Sequence, residues 1–445
     1  MRVEGLAVPR PTGAFRRQGT QPGVPPGASS LTIRLSVAAL SAVGWKSDIP
    51  LQAGIDPTCP GGGSLSAMPA PDGTAPAASP APSLDRCVSL ADIAAVAETR
   101  IDRIAWDYYR SGAWDETTLA RNEAAWRELE IHHRGMVDVS RRSMRTELFG
   151  RAVPTPLLAA PTAMQRMAHP DGECATARAC GAAGTTMCLS SLSTTALEEV
   201  RAATGGPLWM QIYISQDRGF TRDLVARAEA AGIEAFAVTA DTPVWGIRER
   251  DMRNGFRVPD GMRIVNLERP GGPTGHSGVG IGGALSWTID ASLTWRDVEQ
   301  LCGWTKRPVL VKGLCRPDDC VRAIDAGARG VWISNHGGRQ LDGAPATADV
   351  LARCADAVRG RATVVVDGGV RRGIDALRAL ALGADAVAVG RPILWGLGAG
   401  GEAGVARVLA MLAAELDLAM ALAGVADIAT AQTLGADLVR ARERA

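Results

Sequence analysis

The sequence predicts an α/β fold, a closed (β/α)8 TIM barrel, from three observations. From about residue 155 onward, eight short apolar runs alternate with helical segments rich in Ala, Leu and Arg, as expected when parallel strands and helices follow one another around a barrel. Nearly every run ends in a polar side chain that a core would not bury. No Gly-x-Gly-x-x-Gly motif follows the first run, which disfavours the alternative of a doubly wound open sheet.

The eight predicted strands are apolar runs of four or five residues. In chain order they are 157–160, 185–189, 208–212, 235–239, 308–312, 330–334, 363–367 and 386–390. Helices are predicted between them at 172–183, 220–231, 317–326, 348–358 and 373–382, with a further one that begins near Leu293.

One connection departs from the regular spacing. About 50 residues separate the fourth strand from the helix near Leu293, and they include Gly271-Gly272-Pro273 and a second glycine-rich stretch at 278–283. A long glycine-rich loop at the mouth of a barrel is usually either an active-site lid or disordered. We favour the lid.

Composition changes sharply near residue 84. Thirteen of the 26 prolines lie before it, so residues 1–84 are predicted to be a disordered Pro/Gly/Ala-rich extension and residues 85–445 the barrel domain. The segment 31–44 has the apolar character of a secretory signal, but Arg34 interrupts it and no cleavage pattern follows. One hypothesis from composition is that translation starts at Met68.

The overall composition is typical of a soluble globular protein, with 46% hydrophobic residues, 21% charged residues and a formal net charge of +1. This balance disfavours nucleic acid as a partner, because no basic stripe is available to displace counterions. No apolar stretch approaches the roughly 18 residues of a membrane span. The nine cysteines form no Cys-x-x-Cys pair, so neither a metal site nor a disulfide framework is predicted, and the cytoplasm is the expected compartment.

The most informative motif is Ser-Asn-His-Gly-Gly-Arg-Gln at 334–340, where the sixth predicted strand ends. His336 titrates near neutral pH and is suited to proton abstraction, while the planar guanidinium of Arg339 can bind a carboxylate through two hydrogen bonds. The two glycines between them leave room for backbone and a flat ligand to approach. A substrate with a carboxylate beside an oxidisable carbon would fit. The alternative is a surface loop with an unrelated His and Arg.

Residues at the ends of the third to eighth strands favour a functional site, because the carboxyl ends of barrel strands meet at one face. They are Gln211, Tyr213, Thr239, Asp241, Arg248, Lys312, Ser334, Asp367, Gly390 and Arg391. Each has an ordinary explanation when taken alone, such as helix capping or contact with solvent. Of the three tyrosines, Tyr213 and Tyr108 are candidate donors to a substrate oxygen, while core packing is slightly preferred for Tyr109.

The last two strands are followed by glycine and arginine, at 367–371 and at Gly390-Arg391. Barrels often bind phosphate there, through backbone N–H groups exposed by glycine and through arginine side chains. Lys312 would face the same mouth and stabilise a cofactor that becomes anionic. Flavin mononucleotide (FMN) meets both requirements. The alternative interpretation is that the glycines only form a tight turn and that Arg391 is a surface charge.

From about Val88 to the C terminus, the chain resembles the FMN-dependent α-hydroxy-acid oxidases and dehydrogenases, the family of glycolate oxidase, lactate oxidase, mandelate dehydrogenase and hydroxymandelate oxidase. The motif at 334–340, which continues to Asp342, is close to diagnostic, and the other matching stretches are highly specific when taken together. They are 106–112, 160–165, 189–191, 211–213, 239–243, 311–313, 367–373 and 390–392.

The resemblance implies a role for each candidate, and the reaction it implies converts an L-2-hydroxy acid to the 2-oxo acid. His336 resembles the catalytic base, held and made more basic by Asp241. Binding of the substrate carboxylate or oxygen is implied for Arg339, Arg248, Tyr108 and Tyr213. Contact with the flavin ring and ribityl chain is implied for Thr162, Ala163, Ser190, Gln211, Thr239, Lys312 and Ser334. The ribityl and phosphate end is implied for Asp367, Gly369, Arg371, Gly390 and Arg391.

Departures from the glycolate oxidase pattern bear on the substrate. Leu192 stands where glycolate oxidases have a bulky tryptophan, and both the stretch around it and residues 251–256 are closer to the hydroxymandelate oxidases. Loss of the indole would enlarge the pocket. Lactate- to mandelate-like acids are therefore predicted to be preferred over glycolate.

The predicted electron acceptor is O2, with H2O2 as product. Residues 1–84 contain no histidine, which disfavours an N-terminal haem domain. A membrane anchor would be apolar or basic, and the loop at 271–283 is neither. A homo-oligomer is expected, a tetramer by the family resemblance. The alternatives are a 2-hydroxy-acid dehydrogenase or monooxygenase, an FMN isomerase barrel, which would not need paired arginines, and a non-catalytic flavin-binding barrel, which would not need a base.

Overall fold

The computed structural model describes residues 83–268 and 289–442. Within them, eight parallel strands form a closed barrel. The first to eighth barrel strands are Leu157–Ala159, Thr186–Leu189, Leu208–Ile212, Phe236–Thr239, Val309–Leu314, Gly330–Ile333, Thr363–Val366 and Ala386–Val389. All eight predicted strands are confirmed, with ends that differ from the predicted ones by at most two residues.

Strand pairing follows chain order and closes between the eighth and first strands, where Val387 pairs with Leu157. The predicted (β/α)8 architecture is therefore confirmed, and the open doubly wound sheet is excluded. A closed parallel barrel brings the carboxyl ends of all its strands to one mouth. The loops that follow the strands consequently surround a common centre.

Apolar side chains pack on both faces of the barrel wall, because successive residues of a strand point to opposite faces. Inside the barrel, the large side chains of Leu158, Trp209 and Trp332 pack with small ones such as Ala237 and Ala388. A second, larger apolar cluster lies between the strands and the surrounding helices. The barrel is thus a filled core, and a ligand has to bind at its mouth.

The helices predicted between the strands are confirmed within two residues of their predicted ends. They are Gly172–Ala182, Arg218–Ala230, Pro317–Asp325, Thr347–Val358 and Gly373–Ala381. The helix expected near Leu293 spans Trp295–Trp304, and the carboxylate of Asp297 accepts a hydrogen bond of 2.7 Å from the backbone N–H of Thr294 at its start. Further helices are Leu197–Ala202, Glu249–Arg253, Arg391–Ala423 and Ile428–Leu434.

Among the described residues, three α-helices precede the barrel, and the alternating pattern gave no prediction for them. They span Leu90–Arg100, Arg103–Arg110 and Thr117–Arg127. The third is fastened to the barrel mouth, since Trp126 Nε1 donates to the carbonyl of Gly368 (2.8 Å) and the amides of Asn122 and Asn335 exchange hydrogen bonds. These N-terminal helices therefore form one side of the mouth.

Two short antiparallel pairs complete the described structure. Thr146–Leu148 pairs with Arg151–Val153, and Leu129–Ile131 pairs with Val439–Ala441. Leu148 and Val153 join the apolar cluster inside the barrel. The first pair thus closes the end of the barrel opposite the mouth.

Two predictions fall outside the described residues. One is the disordered extension, of which only Ser83 and Leu84 are described, and the other is the lid at 271–283. The described part of that long connection contains the helix Glu249–Arg253 and a turn at Val265–Leu267. In the described ranges, no helix has both the length and the apolar character needed to cross a membrane.

Candidate active site

A cavity opens at the carboxyl ends of the barrel strands, where barrel proteins bind small molecules and cofactors. Most of the predicted site residues line it. They are Tyr108, Thr162, Ala163, Ser190, Gln211, Tyr213, Thr239, Arg248, Lys312, His336, Arg339, Asp367, Gly369, Arg371, Gly390 and Arg391. The other two, Asp241 and Ser334, lie behind this lining and hydrogen-bond to residues that belong to it.

His336 borders the cavity with a carboxylate behind it. Its Nδ1 lies 2.9 Å from Oδ1 of Asp241. Burial lowers the pKa of His336 below its ordinary value; Asp241 opposes this shift, and the cations Lys312 and Arg248 add to it. Burial would raise the pKa of Asp241, but His336 and Lys312 outweigh it and the net shift is downward. At neutral pH the pair is therefore an ionised Asp241 and a neutral His336, the state of a proton acceptor.

Asp241 acts on His336 in the direction that the sequence analysis expected. Asp241 was expected to make His336 more basic, and its own contribution to the pKa of His336 is indeed upward. The net shift is nevertheless downward, because burial of the imidazole is the largest contribution and two neighbouring cations reinforce it. Sequence spacing identifies neighbours, but it does not reveal how deeply the ring is buried.

The corner after the sixth strand has an unusual backbone. His336, Gly337 and Gly338 have φ values of 59°, 64° and 75°, in the left-handed region that residues other than glycine rarely adopt. A Cβ on Gly337 would lie 2.9 Å from Nη1 of Arg391, and one on Gly338 would lie 2.7 Å from the backbone nitrogen of Leu119. The glycines thus make room for Arg391 and for the N-terminal helices, and the close approach of backbone that the sequence predicted is present at Gly338. Gly337 also lines the cavity.

Two arginines lie over the ring of Tyr108. The guanidinium carbon of Arg339 is 4.9 Å from the ring centroid and that of Arg248 is 5.9 Å from it. Arg339 is held by the carbonyls of Tyr108 (2.7 Å) and Ser111 (2.8 Å). Burial lowers the pKa of Arg248 and Arg339 lowers it further, while Asp251, 3.6 Å away, opposes the shift. Such a concentration of positive charge suits bidentate binding of a carboxylate.

The segment that follows Arg248 fixes the position of Tyr108. Phe256 stacks on Tyr108 with ring centroids 4.5 Å apart and planes inclined by 12°. Asn254 Nδ2 donates to Oδ2 of Asp107 at 2.9 Å. The stretch 251–256, which the sequence marked only through its subgroup resemblance, therefore ties the loop after the fourth strand to the N-terminal helices.

Lys312 is a buried cation at the base of the cavity. Its Nζ lies 2.9 Å from Oγ of Ser334 and 3.3 Å from Oδ2 of Asp367, and Ser334 in turn donates to Oδ1 of Asp367 at 2.7 Å. Burial lowers the pKa of Lys312, but the charges of Asp367 and Asp241 outweigh it and the net shift is upward. Lys312 therefore keeps its charge and can stabilise negative charge beside it.

Gln211 joins polar groups from the second to fourth strands. Its Oε1 accepts hydrogen bonds from the hydroxyls of Ser190 (3.2 Å) and Ser191 (3.3 Å), and its Nε2 donates to Oγ1 of Thr239 (2.9 Å). All four side chains are buried. A connected array of this kind can orient a heterocycle through hydrogen bonds to its edge.

A cationic cluster follows the seventh and eighth strands. Arg391 donates to the carbonyls of Tyr109 (3.1 Å) and Gly337 (3.0 Å), and Arg371 forms an ion pair with Glu123 at 3.0 Å. Burial lowers the pKa of both arginines, and for Arg391 the nearby positive charges lower it well below its ordinary value. The N terminus of the helix Arg391–Ala423 adds backbone donors and a favourable dipole. The cluster therefore has the properties of a phosphate site.

Comparisons with known proteins place this geometry in a family. The family model for FMN-dependent dehydrogenases matches residues 97–437. The chain belongs to the FMN-dependent dehydrogenase family. Its members are FMN-dependent oxidoreductases, so the cofactor expected from the sequence is confirmed together with the family resemblance.

Relatives of this chain share nearly the whole barrel domain. An L-lactate oxidase from Nostoc sp. is 46% identical over 345 residues, which is 76% of this chain and 94% of that one. The 2-hydroxyacid oxidase 1 of Homo sapiens is 45% identical over 347 residues, 77% of this chain and 94% of that one. A solved structure of a mandelate oxidase mutant with (S)-mandelic acid matches with a TM-score of 0.72 at 40% identity, over 78% of this chain and 97% of that one.

The cavity of this family member fits FMN. A phosphate needs donors and positive charge; Arg371 and Arg391 offer both, and Arg391 is hydrogen-bonded to backbone carbonyls while Glu123 pairs with Arg371. A flavin ring needs hydrogen-bonding groups along its edge, which the Gln211 array supplies, and a cation beside it, which Lys312 supplies. Arg371 and Arg391 would thus hold the phosphate, and Gln211 and Lys312 the ring.

Some residues that build the site were missed by sequence reasoning. Tyr109 is buried, as the preference for core packing predicted, yet it also lines the cavity and donates to the carbonyl of Met164 at 2.6 Å. Glu173 is fully buried and accepts hydrogen bonds from the backbone of Gln165 (3.0 Å) and Thr194 (2.9 Å), so it joins the loops after the first two strands. Trp245 also lines the cavity, and no pattern in the sequence pointed to it.

Proposed function

We propose that the protein oxidises an L-2-hydroxy acid to the 2-oxo acid in an FMN-dependent reaction, with O2 as electron acceptor and H2O2 as product. The observation that carries this proposal is that His336, a neutral base, and the arginine pair of Arg248 and Arg339 border the same cavity. A base beside an anion-binding pair suits the removal of a proton next to a carboxylate. Neither an isomerase barrel nor a flavin-binding scaffold requires that combination.

Each side chain has a part in this reaction. Arg248 and Arg339 bind the substrate carboxylate, and Tyr108, held between them and Phe256, assists. Tyr213 donates a hydrogen bond to the substrate hydroxyl oxygen, since burial raises the pKa of its phenol and keeps it protonated. FMN, when bound, supplies the acceptor for the two electrons that leave the α-carbon.

Proton transfer falls to His336. Asp241, behind the ring at Nδ1, fixes the imidazole orientation and leaves Nε2 as the atom that accepts the substrate proton. Lys312 remains charged because Asp367 and Asp241 stabilise it, and it balances negative charge in the cavity as electrons leave the substrate.

The proposed substrates are lactate- to mandelate-like acids in preference to glycolate. The replacement of an indole by Leu192, which lines the cavity, supports this preference because it leaves space beside the α-carbon. Relatives named L-lactate oxidase and glycolate oxidase, and a structural match named mandelate oxidase, span the same range of side chains.

Three further features belong to the proposal. Residues 85–445 form the FMN-binding catalytic domain, preceded by an extension over residues 1–84 that is not needed for chemistry. The protein acts in the cytoplasm, and it assembles as a homo-oligomer, a tetramer. Light scattering of the purified protein tests the assembly. Measurement of kcat/KM before and after removal of residues 1–84 tests whether the extension is needed for chemistry.

Anaerobic titration tests the reaction itself. The purified protein should be yellow, and lactate or mandelate added without oxygen should bleach the flavin absorbance near 450 nm, a property of the free cofactor. Admission of O2 should then restore the colour and release H2O2 in equal amount to the 2-oxo acid. A yellow protein that no 2-hydroxy acid bleaches would contradict the proposal, and bleaching that O2 does not reverse would favour a dehydrogenase with another acceptor.

A further inference from the structure

Trp245 lines the cavity, and the sequence did not identify it as a site residue. It lies on the loop after the fourth strand, between Asp241, which supports the candidate base, and Arg248, which belongs to the candidate carboxylate site. Its indole meets the ring of Tyr213 edge to face, with centroids 5.7 Å apart and planes inclined by 64°. The indole therefore stands beside two of the side chains expected to hold the substrate.

The backbone on both sides of Trp245 is fixed to the sixth-strand corner. Gln340, itself buried, donates through Nε2 to the carbonyls of Asp241 and Val244 (both 3.1 Å), and its Oε1 accepts from the backbone N–H of Gly246 (3.2 Å). A Cβ on Gly246 would lie 2.4 Å from the carbonyl oxygen of Arg339. The two loops are thus in close contact, and the indole is held on a rigid support.

This arrangement changes what Leu192 implies. Loss of an indole at position 192 was expected to enlarge the pocket. Both Leu192 and Trp245 line the cavity, so space is gained at one position while an aromatic surface is present at another. The pocket has spare volume and aromatic walls formed by Tyr108, Tyr213 and Trp245. It therefore suits a flat aromatic substituent on the substrate α-carbon more than a branched aliphatic one or a hydrogen.

We propose that Trp245 is the specificity-determining residue of this pocket and that it selects 2-hydroxy acids whose α-carbon carries an aromatic ring. The inference rests on the proposed function and names the substrate class of the same site. The substrate ring packs against the indole, in addition to the burial that any apolar substituent gains. Gln340 and Gly246 serve as positioning residues, because they hold the loop that presents the indole.

The expected effect is a change in selectivity. An aromatic pair contributes enough beyond simple burial to change an affinity by about tenfold. Trp245→Leu keeps an apolar side chain but removes the ring, so kcat/KM for mandelate relative to glycolate should fall about tenfold. Trp245→Phe keeps a ring and should retain the ratio within about threefold.

Binding separates this inference from the reaction on which it depends. Calorimetry of the FMN-loaded protein with benzoylformate and with glyoxylate measures affinity for an aromatic and a small 2-oxo acid without turnover. Trp245→Leu should weaken benzoylformate binding about tenfold and leave glyoxylate within about twofold. Trp304→Leu is the matched control, since it makes the same substitution at a half-buried tryptophan of the outer helix Trp295–Trp304, outside the cavity lining; it should leave both affinities and the kcat/KM ratio unchanged.

The outcomes are distinguishable. An unchanged or higher mandelate-to-glycolate ratio in Trp245→Leu, or an unchanged ratio of the two affinities, would overturn the role of Trp245 even if the wild-type protein oxidises both acids. Failure of every 2-hydroxy acid to bleach the wild-type flavin would overturn the proposed function instead. Bound FMN, measured by absorbance, and the melting temperature of each variant confirm that the folded holoprotein is being compared.

Discussion

The imidazole Nδ1 of His336 lies 2.9 Å from the carboxylate Oδ1 of Asp241, across two loops that are 95 residues apart in the chain. With Asp241 ionised, Nδ1 carries the proton and donates this hydrogen bond, so Nε2 is left as the basic atom. The contact depends on the closed barrel, which brings the ends of the fourth and sixth strands to the same mouth. It fixes both the orientation and the tautomer of the candidate base.

Removal of either partner should reduce proton transfer while FMN remains bound. His336→Ala should lower the rate of anaerobic flavin reduction by about 100- to 10,000-fold, the usual contribution of a positioned general base. Asp241→Asn should lower it by at least about 100-fold, because an amide no longer fixes the tautomer or stabilises the imidazolium. Stopped-flow absorbance gives the rate and the flavin spectrum gives the occupancy. Reduction at the wild-type rate in His336→Ala would remove this residue from the base role.

The pH dependence of kcat/KM should report the depressed pKa of His336. The neutral ring is the active form, so activity should rise as the pH rises through that pKa and level off above it. Because burial and two cations lower the pKa, the inflection should lie below the ordinary value of about 6.5. Asp241 contributes upward, so the inflection in Asp241→Asn should move to lower pH. An inflection above about pH 7 in the wild type would contradict the burial argument.

Arg248 should contribute to substrate binding through its guanidinium geometry. Arg248→Lys keeps the charge but loses the planar pair of donors, so kcat/KM for a 2-hydroxy acid should fall about 10- to 100-fold. The discrimination between mandelate and its neutral amide should shrink, because the amide never used the arginine pair fully. Arg250→Lys is the matched control, since Arg250 lies two residues on and pairs with Glu116 at 2.9 Å. An equal loss in both variants would indicate a structural role for the short helix.

The barrel and its site could be predicted to different depths. Strand and helix positions could be predicted because the spacing and length of apolar runs are visible in the local sequence. His336, Lys312 and Arg391 could be predicted because the carboxyl ends of barrel strands lie at one face. Contacts between residues that are distant in the sequence could not be predicted. Trp245 and Glu173 carry no local signal, and the N-terminal helices lack the alternating pattern. The net downward pKa shift of His336 depends on its burial, which spacing does not show.

The cationic cluster should make the FMN-free protein responsive to inorganic phosphate. Burial lowers the pKa values of Arg371 and Arg391, and the charges of Arg339 and Arg371 lower that of Arg391 further. An anion that binds the folded state beside Arg391 offsets this positive charge and stabilises the fold. Phosphate at about 100 times its dissociation constant should raise the melting temperature by about 2–10 °C relative to chloride at equal ionic strength. Scanning calorimetry measures the shift.

Two variants decide whether that shift belongs to the cluster. Arg391→Met should abolish the phosphate effect, because it removes a buried cation at the start of the helix that follows the eighth strand. Arg322→Met removes an exposed arginine that pairs with Asp319 on an outer helix and should keep the effect. A shift that survives in Arg391→Met would place the anion elsewhere.

Gly246 tests the contact between the two loops that carry the base, its partner and the arginine pair. A methyl group at this position would lie 2.4 Å from the carbonyl oxygen of Arg339 and 2.8 Å from Cα of Gln340, so the loops must separate in Gly246→Ala. The strain should cost about 1–3 kcal/mol in the free energy of unfolding, measured by urea denaturation. Because the displaced backbone carries Arg339 and lies beside Arg248 and Trp245, kcat/KM should fall by about 10-fold or more.

Gly205→Ala, at a loop glycine with open space around its Cβ position, should change neither quantity, since surface substitutions usually stay within about 0.5 kcal/mol. Equal effects of the two substitutions would mean that the loop contact does not determine the geometry of the site.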